Sequence, residues 1–198
     1  ASQNIAVGHN SLRENCSGSY NIAIGFASLQ NLNGGFTGWN NVAIGCGAGY
    51  GLTSGCNNTL LGHCANASTA TSCNEVTIGN SSVTAIRAQV TTITSLSDLR
   101  DKKDIETIPV GLNFINQLHP VKFLWNMRDG GKIDVPDTGF IAQEVQQVEE
   151  SFNVKEWLQL VYDKNPDKLE LSINRILPII VKAIQELSDK IDDINNKL

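Results

Sequence analysis

The sequence predicts a mixed fold: an N-terminal trimeric β stem of short-strand repeats (a β-roll or an intertwined β structure), then a small α+β domain ending in a long C-terminal trimeric coiled-coil helix. Three observations predict it. A short apolar unit recurs through residues 1–96 at near-constant spacing. Charge is concentrated in the second half: of 15 basic and 20 acidic side chains, residues 1–96 hold only Arg13, Glu14, Glu75 and Arg87. The chain closes in a sustained heptad of isoleucine and leucine. Two units follow within 198 residues, 1–96 and 97–198, with the boundary just before Ser97.

The repeat units of the stem are Asn4–Gly8, Asn21–Gly25, Asn41–Gly45, Asn58–Gly62 and Glu75–Gly79. Their glycines lie 17, 20, 17 and 17 residues apart, a period that signals a repeat architecture. Inside each unit the larger apolar residues alternate, as in Ile5/Val7, Ile22/Ile24, Val42/Ile44 and Val76/Ile78. Alternation predicts short β-strands with one buried face, and the flanking Asn and Gly suit tight turns. The large apolar residues are too few for an independent core, so the expectation is a core shared between chains, with short strands from several copies stacked about an axis. Gly34-Gly35-Phe36-Thr37-Gly38 lacks the Gly-Lys-Ser/Thr ending of a phosphate loop. It reads as a lengthened turn that accounts for the single 20-residue spacing.

Cys16, Cys46, Cys56, Cys64 and Cys73 all fall in the stem without a C-x-x-C pair. They read as small, partly buried, reduced residues suited to a reducing cytoplasm. His9 and His63 read as turn or surface residues, with no metal site expected from His63, Cys64 and Cys56. The net charge of −5 and the absence of any basic run longer than Lys102-Lys103 argue against general nucleic-acid binding. No signal-peptide pattern or membrane-length apolar run is found. The abrupt start in repeat sequence reads as a fragment of something longer.

In the second unit, Val110–Leu118 carries the pattern of a short amphipathic helix, ended by His119-Pro120. Val121–Trp125 reads as a strand, Asp129-Gly130-Gly131 as a turn, Phe140–Val148 as a second helix, and Val161-Tyr162 with Leu169–Leu171 as a hairpin. His119 reads as a packed or turn residue. From about residue 173 to 198, Leu177, Ile184, Ile191 and Leu198 take heptad position a, and Ile173, Ile180, Leu187 and Ile194 take d. Isoleucine at both positions disfavours the dimer and favours trimers or higher assemblies. Ile176, Ile179 and Val181 widen the apolar face of the first turns, which suits packing on the domain itself, and Pro178 predicts a kink or a late start.

Four motifs then occur in order: Ser97-Asp98-Leu99-Arg100-Asp101-Lys102, Leu118–Trp125, Gly139–Val145, and the apolar helix Leu177–Leu187. Together they resemble the C-terminal intramolecular chaperone domain of phage tail spikes, tail fibres and endosialidases, an auto-processing module also present in a few membrane-bound transcription factors. The resemblance covers Ser97 to about Leu198. The stem repeats resemble the head repeats of trimeric autotransporter adhesins.

The resemblance implies a self-cleaving serine endopeptidase acting in cis, once, with no external substrate. The scissile bond is Leu96–Ser97, Ser97 is the nucleophile, and Lys102 is the general base, with Asp98 and Arg100 in support. A serine hydroxyl needs a neighbouring base, and a lysine serves as one only when burial or nearby positive charge lowers its pKa. Arg100 and Lys103 are the candidate sources of that charge. Five residues of α-helix would rotate Lys102 about 140° away from Ser97, so a turn, or a lysine from another subunit, must join them. No cofactor and no metal are implied. The implied partners are two further copies of the chain and its own stem as folding client, with neither nucleic acid nor membrane. The implied setting is the host cytoplasm during assembly, with the stem remaining in a bacteriophage virion and the chaperone domain released. The competing class is a purely structural trimeric fibre or adhesin tip that is never cut.

Overall fold

The computed structural model describes residues 1–31, 34–90 and 92–197. It divides into two compact units, one of Ala1–Ile86 with Trp125–Val135, the other of Arg87–Leu124 with Pro136–Leu198.

The stem is a single-chain parallel roll. Strands β1 (Ile5–Val7), β2 (Ile22–Ile24), β3 (Val42–Ile44), β4 (Thr59–Leu61) and β5 (Val76–Ile78) stack in sequence order. Every pair is parallel and in register, so Ile5, Ile22, Val42, Thr59 and Val76 form one ladder. The repeat units thus fall on the strands expected of them, and the strands stack within one chain rather than between copies. The chain also has its own stem core, in which Leu12, Leu29, Phe36, Leu52 and Leu60 close around Ala23, Ala43, Ala48 and Ala65.

The buried face is the opposite of the expected one. Ala23, Ala43 and Leu60, the middle residues, point inward and are fully buried, while the flanking Ile and Val pairs lie outside. A narrow roll admits only a small side chain at most rungs, so the larger pair is turned outward. Val76 is 72% exposed. Sheer closeness also fixes the glycines: a Cβ on Gly25, which sits at φ +128°, would lie 2.6 Å from the Gly45 carbonyl. The asparagine before each strand has a different role from turn formation. Asn21, Asn41 and Asn58 are buried, and their Oδ1 atoms accept the backbone N–H of Asn41, Asn58 and Glu75 at 2.9–3.0 Å. This ladder satisfies buried polar groups that would otherwise be costly. It ends at Glu75, whose carboxylate instead accepts from Ser68 N and Oγ.

Two cysteines depart from the reduced reading. Cys56 and Cys73 form a disulfide, with Cα atoms 4.6 Å apart. Their separation of 17 equals the repeat period, so the roll places one directly above the other, within the distance a disulfide needs. Cys16, Cys46 and Cys64 are free and exposed.

In the other unit, helix α1 (Leu112–Ile115) is shorter than the periodicity suggested, and helix α2 spans Ala142–Ser151. Strand β6 (Val121–Asn126) pairs with β7 (Ile133–Gly139), a strand that Pro136 and two aspartates disguise in the sequence; the tip of this hairpin, Trp125–Val135, belongs to the first unit. A one-turn helix α3 (Lys155–Leu158) leads into the antiparallel pair β8 (Val161–Tyr162) and β9 (Glu170–Leu171). Phe114, Val145, Leu158, Leu160, Ile176 and Ile179 centre the core, with Phe114 edge-on to Phe152 at 5.3 Å between ring centroids.

Helix α4 (Leu177–Asn195) follows a 3₁₀ turn over Ile173–Ile176. Its late start places Pro178 in the first turn, where a missing N–H is harmless. Ile179 and Ala183 bury against the domain, while Leu177, Ile184, Leu187, Ile191 and Ile194 form an exposed stripe. The last a position, Leu198, lies outside the described residues. Glu186 ties the helix to the domain by accepting from Leu112 N at 2.8 Å. Among the described residues no helix is long and apolar enough to cross a membrane.

Candidate active site

The turn after Ser97 is set by Asp98. Its φ of −69° and ψ of 140° hold it out of the helix, and its Oδ1 accepts from Arg100 N at 2.9 Å, capping a single 3₁₀ turn over Leu99–Asp101. Asp98 favours this arrangement because a short carboxylate reaches a backbone N–H two residues on. Lys102 then leaves the turn extended, at φ −123° and ψ 145°, with its N–H donating to Leu99 O. The reversal brings its side chain back across the turn. Lys102 Nζ donates to Ser97 Oγ at 2.7 Å and to Ser97 O at 3.1 Å. The two residues meet within one chain, by a turn in place of helical rotation.

Asp98 and Arg100 grip each other twice, with Arg100 Nε donating to Oδ1 at 3.0 Å and an Nη to Oδ2 at 2.6 Å. The Arg100 guanidinium holds the Asp98 carboxyl below its ordinary 3.8, and Asp98 in turn raises Arg100. Arg100 is therefore neutralised locally, and Lys103 Nζ lies 4.0 Å from Asp104. Both cations that the sequence offers to Lys102 thus have a carboxylate beside them. Ser97 and Lys102 are exposed, and Leu96 is 81% exposed.

The Asp98 clamp gives a measurable titration. A carboxylate with a depressed pKa contributes stability fully present above its unfolded value and lost as pH falls through its folded value. The turn should therefore be intact at pH 5 and loosen only below pH 3.8. A carbon-detected NMR titration should place the Asp98 midpoint below 3.8, and Arg100→Ala should return it toward 3.8. An unshifted midpoint in the parent chain would contradict the clamp.

Other candidate groups stay outside this site. His119 is exposed rather than packed, with its ring 3.2 Å from Glu144. His63 Nε2 lies 3.4 Å from Cys64 Sγ, and no group of three potential metal ligands occurs among the described residues. Glu149 was hidden from sequence reasoning because it sits on a polar helix. It is fully buried and accepts from Leu160 N at 2.7 Å and Val161 N at 3.3 Å, fixing the start of β8 to α2. Glu149→Ala should cost about 3 kcal/mol by stranding two buried donors, and Glu149→Gln, which keeps an acceptor, distinctly less. Urea unfolding of the two variants checks the order.

Residues 97–155 match the model of a peptidase family described as chaperone of endosialidase. The match begins at Ser97 itself. It supports a chaperone domain of that family in this segment and, coarsely, an intramolecular chaperone with self-cleaving, peptidase-like character. No curated protein and no solved structure matches the chain.

Proposed function

We propose that the chain is an intramolecular chaperone that trimerises and folds the stem of a bacteriophage tail fibre or spike, then releases itself by autoproteolysis at Leu96–Ser97. The observation that carries the reading is the 2.7 Å contact between Lys102 Nζ and Ser97 Oγ, at the first residue of the matched segment. In the reaction, neutral Lys102 takes the Ser97 hydroxyl proton as Oγ adds to the Leu96 carbonyl carbon. The Leu96–Ser97 C–N bond breaks, and Lys102 returns the proton to the Ser97 nitrogen. The acyl group then sits on Ser97 Oγ as an ester. Water adds to that ester, releasing the Leu96 carboxylate, the Ser97 hydroxyl and a new amino terminus at Ser97.

Trimerisation supplies what one chain lacks. Lys102 needs a drier setting to act as a base, and the exposed dyad acquires it only when other chains cover it. The exposed Ile and Val ladder of the stem and the stripe on α4 are the surfaces for two further copies. Joining the chains through α4 raises the effective concentration of neighbouring stems, which favours packing of their outward Ile and Val faces on one another. Processing would take place in the host cytoplasm, and the stem would remain in the virion. Mass analysis of the purified chain tests the reading: two products, one ending at Leu96 and one beginning at Ser97, support it, and a persistent intact 21.4 kDa chain in a verified trimer overturns the processing step.

The exposure of the dyad and the neutralisation of Arg100 favour a second reading, a structural trimeric tip in which this turn is an uncut linker. The same mass measurement separates the two.

A further inference from the structure

One corner of the stem roll differs from rung to rung. The positions just before the strands stack as Ser2-Gln3, Ser19-Tyr20, Trp39-Asn40, Cys56-Asn57 and Cys73-Asn74, each linked to its neighbour by a backbone hydrogen bond of 3.0–3.1 Å. In the last two rungs the Cys56–Cys73 disulfide staples the corner shut. In the second and third, Ser19 and Trp39 take those places, and with Tyr20, Ser17, Thr37 and Asn40 they line an open groove of about 620 Å³. That size falls within the range of small-ligand sites.

Backbone strain marks the same place. The second residue of each corner pair has a positive φ: 56° at Gln3, 60° at Tyr20, 57° at Asn40, 53° at Asn57 and 65° at Asn74. Asparagine suits this left-handed geometry, and a bulky side chain does not. Leu12 and Leu29 also have positive φ, but both are buried in the stem core, which offsets the strain. Tyr20 is 57% exposed and gains no such compensation, and Trp39 beside it, without a positive φ, is 51% exposed. An unfavourable backbone kept for an exposed aromatic points to a use outside the fold.

We propose that this groove binds a neutral saccharide. The ring faces of Tyr20 and Trp39 suit the C–H faces of a sugar, and both carry a polar atom at the rim. Among the described residues, Ser17 Oγ, Asn40 Nδ2 and Trp39 Nε1 have no protein partner, which leaves donors for sugar hydroxyls. No lining residue carries a formal charge at neutral pH, which disfavours an anionic ligand. A single-stranded nucleic acid would also stack on aromatics, but it requires a cationic groove, and the stem holds only Arg13 and Arg87. A proline-rich peptide would stack as well. Proline has no N–H, so it could donate to neither Ser17 Oγ nor Asn40 Oδ1, whereas a sugar hydroxyl both donates and accepts.

The full chain should be screened on an array of neutral oligosaccharides, with sialyllactose as the charged control and a polyproline peptide as the competing class. The best neutral probe is then titrated free in solution and as immobilised polysaccharide, to distinguish a short ligand from a surface polymer. At least one neutral probe should bind, and Trp39→Ala should weaken it at least tenfold. Tyr20→Asn should weaken it at least fivefold while the melting temperature stays equal or rises, because asparagine relieves the backbone. A purely structural Tyr20 would instead lower the melting temperature. Self-processing should be unchanged in both variants. The proposal is overturned if no neutral probe binds at 10 mM (roughly the weakest useful affinity, ΔG about −2.7 kcal/mol). It is also overturned if binding survives Trp39→Ala, or if the peptide binds through Trp39 and the sugars do not.

Discussion

Ser97→Ala should leave the chain folded, trimeric and uncut. The hydroxyl makes no buried contact and is exposed, so its loss does little to packing, yet the proposed reaction has no other nucleophile. Cleavage at Leu96–Ser97 should fall by at least about 10³-fold. Lys102→Ala should slow cleavage by roughly 10²–10⁴-fold, the usual contribution of a positioned general base. Arg100→Ala should act more weakly, since Asp98 keeps its backbone cap on the turn. Cleavage should be first order and independent of trimer concentration, because the substrate is tethered. The intrachain distance of 2.7 Å adds a sharper expectation. Mixed trimers of Ser97→Ala and Lys102→Ala chains should stay uncut, because no chain then holds both groups. Cutting in the mixed trimers would place the base on a neighbouring chain. Cutting of Ser97→Ala at the parent rate would remove the dyad altogether.

What the sequence made legible follows from how local each feature is. The stem strands were readable because Ile5/Val7 and its equivalents repeat at the period of the roll, and the register follows from aligning the units. Which face is buried was not readable. Alternation in a three-residue strand is symmetric, and only the width of the roll decides that Ala43 goes in and Val42 and Ile44 turn toward the outside. The Cys56–Cys73 pair was missed although the repeat of 17 would place the two residues on successive rungs. Strand β7 was missed because Pro136 and its aspartates argue against a strand, and an exposed paired strand tolerates them. Ser97, Lys102 and Asp98 are candidates that a motif singles out, but their geometry depends on one 3₁₀ turn that spacing alone left open. Glu149 and Glu186 act over separations of 11 and 74 residues, and no local pattern announces such contacts.

Ile184→Asp with Ile191→Asp should prevent assembly of the stem and not merely pairing at the C-terminus. Both side chains lie on the exposed stripe of α4, Ile184 being 62% exposed, away from Ile179 and Ala183, which the domain already covers. The substitutions should therefore leave the domain's own fold intact. In a closed coiled coil the same positions form the seam, where an unpaired carboxylate costs several kcal/mol, roughly the 2–7 kcal/mol of an uncompensated buried polar group or more. Two per chain across three chains exceed what a short helix gains from burying its remaining isoleucines. Sedimentation at micromolar concentration should show a trimer for the parent chain and a monomer for the variant. The stem should then lose its protease resistance, since the outward Ile24, Ile44 and Ile78 ladder stays uncovered. Self-cleavage should be lost with it, because the Ser97–Lys102 turn remains in water. A variant that is monomeric yet keeps a protease-resistant stem would show that the stem needs no help from the helix, and the chaperone assignment would fall even with the coiled coil correct. A parent chain that sediments as a monomer or dimer would remove the trimer itself.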